Sequence, residues 1–387
     1  MALPVDYSVL SLAVRWKSTV LAVIGIGLVI AVFVGLLSMA SGFGLALRAS
    51  GSAGNAIVLE KGALSELGSS FSTAAGDSAA DDPRVARGPD GAALASPELV
   101  MVVALPAQSG GQLANVGVRG VTPAAFALRA EVTLMEGRRP RAGLHEVMVG
   151  RQTASRIQGL KVGSSVSLLR HPFGVVGVFS DGGSAFESEI WGDFAAMGSA
   201  FNRSGMESSL TVRLRDPKTL AAFDQDLKAS VQYPLTMTDE REYYEGQAGP
   251  LMTFLRGLAV FVGVVTGIGA VFAAMNTMYA IVAHRTREVG TLRAIGFSRF
   301  SVLMSFMLEG LLLAIAGGLL GCLLSLLMNG MTANTSASLG EVSFAFRVTP
   351  SDLAYGLAFA AAMGVIGSLL PAARAARLPI ISALGRA

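Results

Sequence analysis

The chain has 387 residues, of which 52% are hydrophobic and only 15% charged, against roughly 25% charged in an ordinary soluble domain. A net charge of +3 with arginines gathered at the ends of apolar runs gives no basic stripe and no argument for nucleic acid. The single cysteine, Cys322, lies inside an apolar run, which excludes an intramolecular disulfide and any cysteine metal framework.

Hydrophobicity is concentrated near the amino terminus and over the last third, so two environments are expected. A short segment, 1–17, carries Arg15 and Lys17. The next run, 18–47, is uncharged; at 1.5 Å per residue it would extend about 45 Å, more than the roughly 30 Å hydrocarbon core, which predicts a transmembrane helix continuing as a stalk. A cleaved signal peptide would need an apolar region of about 7–15 residues and a small-residue cleavage site, and neither fits.

Over 48–250 the pattern changes to short β-branched runs between turn residues, with strands predicted at 55–59, 99–104, 147–150, 165–169, 175–179 and 209–214. Asp216 followed by Pro217 predicts a helix start, with Leu220, Phe223 and Leu227 as its apolar positions. The segment 68–97, rich in Gly, Ser, Ala and Asp, reads as a mobile loop. This is an α+β domain.

The remaining chain divides into 251–283, a stalk and a second span with its apolar run at 257–283; a polar loop, 284–299; a third span, 300–328; an outer loop, 329–352; a fourth span, 353–370; and a tail, 371–387. Arg285, Arg287, Arg293 and Arg299 flank the second and third spans, and Arg374, Arg377 and Arg386 follow the fourth. By the positive-inside rule these ends and both termini are expected in the cytoplasm, and the helix count then puts 48–250 outside. The expected fold is a membrane protein with four transmembrane α-helices and a large α+β extracytoplasmic domain inserted between helices 1 and 2, in a bacterial inner membrane and so in contact with membrane lipid.

Motifs for chemistry are mostly missing. No Gly-Lys dipeptide occurs, so the G-x-x-x-x-G-K-[ST] phosphate loop is absent and the chain is not expected to be its own ATPase. The run 109–112, SGGQ, matches four letters of an ABC ATPase signature, but without a phosphate loop it reads as coincidence. His145-Glu146 begins like a zinc-protease helix, but Val149 stands where the second imidazole is required, and no catalytic or metal residue is assigned. Glu309 is a carboxylate inside an apolar span. Such a residue is costly, and it is either hydrogen-bonded to a neighbouring helix or subunit near the interface or part of a proton relay.

On an ideal helix Val289, Leu292 and Ile295 fall within about 120°, with Arg287 nearly opposite, which suits an apolar anchor with a polar rim. The segment 283–299, AHRTREVGTLRAIGFSR, resembles the cytoplasmic loop of FtsX/MacB-type ABC permeases. That resemblance implies a short coupling helix docking on an ATPase, through Arg285, Arg287, Glu288, Gly290, Leu292, Arg293 and Gly296. Glu136-Gly137-Arg138, Glu146-Val147, Gly150, LKVG at 160–163 and VVGVF at 175–179 resemble the MacB periplasmic core domain. PAARAARLP at 371–379 with Ala383-Leu384 is similar to the family's closing tail.

The resemblance further implies a separate ABC ATPase binding ATP and Mg²⁺, no cofactor in this chain itself, and a second permease copy in a homodimer or related heterodimer. A periplasmic adaptor and an outer-membrane channel are further partners of such systems. The founding members carry an ATPase ahead of the first span, whereas only 17 residues precede it here, so a permease-only subunit is expected. Two functions follow from the family: efflux or lipoprotein/lipid export, or a regulatory mechanotransmission role that activates a periplasmic partner without transport.

Overall fold

The computed structural model describes residues 16–108, 112–337 and 340–377, with side chains at 19–108, 112–335 and 342–377. In chain order the elements are α1 (Trp16–Ser50), β1 (Asn55–Glu60), β2 (Phe71–Ser72), α2 (Thr73–Ala80), β3 (Ala95–Pro106), β4 (Leu113–Val121), α3 (Ala125–Leu128), β5 (Thr133–Gly137), β6 (Glu146–Gly150), α4 (Arg151–Arg156), β7 (Ser165–Leu168), β8 (His171–Ser180), β9 (Glu189–Asp193) and α5 (Phe194–Ala200). There follow β10 (Met206–Glu207), β11 (Ser209–Arg213), α6 (Leu220–Ala229), β12 (Leu235–Asp239), α7 (Glu240–His284), α8 (Thr286–Ala294), α9 (Arg299–Leu326), β13 (Thr332–Ala337), β14 (Gly340–Ala345) and α10 (Pro350–Ala376). Phe43–Pro250 and Thr332–Ala345 form one compact unit, and the rest of the described chain forms the other.

In the helical unit, α1, α7, α9 and α10 are long and apolar enough to cross a membrane. Their ends are set locally. Ser298 Oγ accepts from Ser301 N at 3.1 Å to start α9, and Thr349 with Asp352 forms a reciprocal capping box ahead of Pro350 to start α10. Between the helices the contacts are made by small residues. A Cβ on Gly321 would lie 2.5 Å from the Gly27 carbonyl oxygen and 2.6 Å from Ile30 Cβ, and one on Gly317 would lie 2.7 Å from Ile26 Cβ. Glycine at these positions therefore sets how closely α9 approaches α1. Ile26, Ile30, Val34, Ala314, Ala360 and Met363 fill the centre, while Phe261, Ile268 and Phe272 on α7 face outward, as a lipid-facing surface requires.

At 45 residues α7 is far longer than the apolar run 257–283 alone suggests, about 68 Å at 1.5 Å per residue. Pro250 lies within it, at the junction of the two units.

The second unit is built on a ten-stranded sheet ordered β12-β1-β11-β3-β4-β9-β6-β8-β5, with β7 on β8. Most pairs are antiparallel, but β4 with β9 and β6 with β8 are parallel. One apolar core gathers Val116, Val118, Val147, Val149, Phe173 and Ile190; another gathers Val58, Val212, Phe223, Leu235 and Met237. Asp216 caps as the sequence suggests, accepting from Lys218 N at 3.0 Å, and a 3₁₀ turn leads into α6.

Two expectations are corrected. The segment 68–97 is not a plain loop, since it holds β2 and α2. Ser72 Oγ accepts from Ala75 N to start that helix, and its buried face is Ala75, Gly76 and Ala79, so residues too small to signal a core are the ones that permit close packing. The connection 329–352 is likewise more than a loop, because β13 and β14 form a hairpin that belongs to the α+β unit. Ser343 N donates to Ser188 Oγ at 2.8 Å, and Phe344 meets Phe43 edge-on at 5.4 Å.

Candidate functional site

Between two spans the chain forms α8, a helix of nine residues. Its end is sharply defined. Gly296 has φ +108°, Phe297 N donates to Leu292 O at 3.1 Å, and Gly296 N donates to Arg293 O at 3.2 Å. This is the Schellman pattern, which needs a left-handed residue at Gly296.

One side of α8 is fastened to the helical unit. Arg285, only 7% exposed, donates from Nη1 to Glu309 at 3.1 Å and from Nε to Glu288 at 2.9 Å, and its guanidinium lies 5.5 Å from the Phe306 ring centre. Glu309 thus hydrogen-bonds across to the residue that precedes α8. Val289 and Gly290 are buried, Val289 among Ile281, Val282, Val302 and Phe306. Arg293 Nη1 donates to Ala376 O at 3.0 Å.

The other side is open: Arg287, Glu288, Thr291 and Ala294 are exposed, Ile295 is 72% exposed, and Leu292 is half-buried. The expectation of a single outward apolar face of Val289, Leu292 and Ile295 is therefore corrected. An arc of about 120° is wide enough to begin on the inner side and end on the outer one, and Val289 is spent on packing within the chain. The cleft beside Arg285, Val289, Leu292 and Phe306 encloses only about 10 Å³, room for about one water, so that cleft is too small for a ligand.

A second constellation lies inside the α+β unit, and sequence reasoning missed it. Arg119 on β4 donates to Glu66 at 2.7 Å, Glu98 at 2.6 Å and Glu189 at 2.8 Å. Arg129, just after α3, donates to Glu98 at 2.5 Å and to Glu240 at 2.9 Å. All six charged groups are buried. Further donors complete the shell: Ser209 Oγ to Glu66 at 2.7 Å, Trp191 Nε1 to Glu189 at 2.7 Å, and Ser52 N and Asn55 Nδ2 to Glu240 at 3.0 and 2.9 Å.

Burial alone would keep the Glu66 carboxyl neutral, but Arg119 and Ser209, with Arg129 behind, outweigh it and hold the group below the usual carboxylate range. Burial likewise opposes charge on Arg119, and Glu189, Glu66 and Glu98 hold it protonated. Strand alternation gave no warning of this network: Ala114, Val116 and Val118 mark the apolar face, which puts Arg119 on the other face with Asn115, where a charged residue is ordinary.

Glu240 is the first residue of α7, so this network fixes that helix end to the sheet. Arg241 Nε also donates to Gly51 O at 3.1 Å, and a Cβ on Gly51 would come within 2.6 Å of Arg241 Cα. Tyr243 Oη accepts from Glu66 N at 2.9 Å. The part of α1 and the part of α7 that belong to this unit are thereby locked to each other and to its core.

His145 sits at a strand edge against Phe173 and His171. Among the described residues no group of three or more His, Cys, Asp or Glu could hold a metal. The residues 109–111 of the SGGQ run, the segment 1–15 and the tail beyond 377, including Pro379, Ala383 and Leu384, lie outside the described residues.

Residues 19–230, more than half of the chain, match the MacB-like periplasmic core domain, and residues 260–380 match the FtsX-like permease C-terminal family. Among curated relatives, the macrolide export ATP-binding/permease protein MacB of Photorhabdus laumondii is 32% identical over 241 residues, 58% of this chain and 35% of that protein. The protein of the same name from Shigella sonnei is 31% identical over 239 residues, again 58% and 35%. The match therefore spans about a third of the length of these relatives. Partial overlap is found with the crystal structure of the periplasmic region of MacB from Actinobacillus actinomycetemcomitans, at a TM-score of 0.38 and 13% identity, covering 50% of this chain and 91% of that one. With its paired family matches and four apolar helices, the chain is a multi-pass inner-membrane protein of the FtsX/MacB-type ABC transporter permease family.

Proposed function

We propose that this chain is a permease subunit that takes up the ATP-driven movement of a separate ABC ATPase at α8 and delivers it to the α+β domain, for efflux or for lipoprotein or lipid export. In this reading ATP and Mg²⁺ are bound by the ATPase, since the sequence contains no phosphate loop, and a second permease copy completes the transporter. A periplasmic adaptor and an outer-membrane channel remain partners of the same proposal. The arginines at 285, 287, 293 and 299 support a cytoplasmic α8 by the positive-inside rule, and in this reading the α+β domain is periplasmic.

The observation that carries the reading is the two-sidedness of α8. Arg285, Val289 and Arg293 fasten it to the chain's own helices, while Arg287, Glu288, Thr291 and Ile295 are exposed to the outside as an apolar contact with a charged rim. A docking load on such a helix is passed to the spans rather than absorbed locally. The clamp at Glu240 supports the other end of the transmission, because a pull along α7 cannot leave the sheet behind.

The test is co-purification of the full chain with its ABC ATPase, together with the turnover of that ATPase. Ile295→Asp puts a charge into the proposed contact and should cost about 2 kcal/mol or more, roughly thirtyfold in affinity, with insertion and expression unchanged. Wild-type association and stimulated turnover in Ile295→Asp would place the coupling surface elsewhere.

A further inference from the structure

The α+β unit contains a cavity of about 360 Å³ that the coupling scheme does not use. It falls within the usual range for small-molecule sites, about 300–1,000 Å³, yet its walls are polar.

Three elements build it, each by its own periodicity. On α4, Gln152, Ser155 and Arg156 are spaced i, i+3 and i+4, which puts all three on one helix face. On the hairpin, Thr332 and Asn334 are two apart on β13, and Asn334 is registered opposite Ser343 on β14, so the three share one face. The opposite face of that hairpin carries Val342 and Phe344, both buried. Gln108, after β3, closes the third side.

The walls are fixed in place. Ser343 is held at its backbone N by Ser188 Oγ at 2.8 Å and donates from its own Oγ to Asn334 Oδ1 at 2.5 Å. Gln108 N donates to Arg156 O at 2.8 Å. The hairpin's apolar side accounts for its attachment to the domain; packing alone gives no reason for three polar faces to converge on one space.

The lining chemistry defines the occupant. Carboxamides and hydroxyls both donate and accept, matching hydroxyl and carbonyl groups. Arg156 contributes a guanidinium, whose fork fits a carboxylate or a phosphate, and no carboxylate is found among the described residues that line the space. We propose that this cavity binds a polyhydroxylated organic anion of about monosaccharide size, a sugar acid or a sugar phosphate. The site is independent of where the ATPase docks.

The experiment is titration of the full chain, reconstituted in nanodiscs, with glucuronate, glucose 6-phosphate, glucose and inorganic phosphate. Saturable binding of glucuronate or glucose 6-phosphate is expected, at least about tenfold tighter than glucose or inorganic phosphate, and whichever anion binds tighter separates carboxylate from phosphate recognition. Arg156→Gln should weaken it about tenfold or more. Ser155→Trp, which fills the cavity from an exposed position, should abolish it while the thermal unfolding midpoint stays at the wild-type value. No saturable binding of either anion at millimolar concentration overturns the proposal. So does equal binding of glucose, equal binding of inorganic phosphate, or undiminished binding in Ser155→Trp.

Discussion

Arg129 offers the sharpest test of the buried charge network, because two carboxylates depend on it. Its guanidinium donates to Glu98 and Glu240, and Nη2 also reaches Thr211 Oγ1 at 3.1 Å. It lies 4.8 Å from the Phe186 ring centre and 5.8 Å from that of Trp191. Replacement by Met keeps most of the volume and removes the charge. Glu98 retains Arg119, and Glu240 retains Ser52 N and Asn55 Nδ2, but the two buried guanidiniums facing four carboxylates become one. Removing one partner of a buried ion pair costs about 3–5 kcal/mol, and the retained donors place this case toward the lower end, about 3 kcal/mol. Arg129→Lys keeps a charge but cannot fork to both carboxylates, so about half that loss is expected. The assay is urea unfolding of the full chain on a Trp16→Phe background, which leaves Trp191 as the sole tryptophan and the reporter of the network it borders. A loss below about 1 kcal/mol in Arg129→Met, or a Lys variant no better than Met, refutes the view that the network holds the start of α7 to the sheet.

Three further outcomes follow from the same structure. Glu207 is 2% exposed, and burial first, then the charge of Asp77, pushes its carboxyl from 4.5 up to about 8; its stabilising proton is fully held below the unfolded value and lost as pH rises through the folded one, so Glu207→Gln should flatten the fall in stability between about pH 5 and pH 9, and an unchanged pH profile refutes this. Gly321→Ala should lower the thermal midpoint of the detergent-solubilised chain, at a cost of about 1–3 kcal/mol, whereas Gly246→Ala, with open space around the added methyl, should not; equal midpoints would show that α1 and α9 are not in close contact. Arg285→Met should destabilise the chain by about 3 kcal/mol or more, since it removes a counter-charge at 3.1 Å from the 2% exposed Glu309, and Arg287→Met should cost less because Arg287 is exposed; thermal midpoints of the two variants decide it.

How much of this was legible in the sequence depends on which solvent wrote the pattern. Lipid disfavours charges and open backbone, so α1, α9 and α10 announce themselves as long apolar runs, α9 with the single carboxylate Glu309, and the starts of α9 and α10 are set by the flanking Ser298, Thr349 and Pro350. The first part of α7 was not read as helix because it leaves the apolar pattern: its residues from Glu240 to Glu245 serve the charge network and the surface of the α+β unit. In the sheet, β1, β3, β6, β8 and β11 are β-branched and were visible. The strand β4 was not, because Arg119 and two glycines interrupt its run, and the reason for that arginine lies in Glu66, Glu98 and Glu189, up to 70 residues away in sequence. Long-range polar pairing leaves no local periodicity for a reader to follow.

The coupling segment shows the same division between local and distant causes. Its helix and its glycine stop are local, and Gly296 in the Schellman position could be read directly from the sequence. Which side of the helix is free could not, because it is decided by Ile281, Val302, Phe306 and Ala376 on neighbouring elements. An amphipathic arc says that a helix has a preferred side; only the neighbours say whether the chain itself has already taken it. Val289 is taken and Ile295 is not, and this difference turns the apolar arc of 289–295 into a segment held from within at one edge and available at the other.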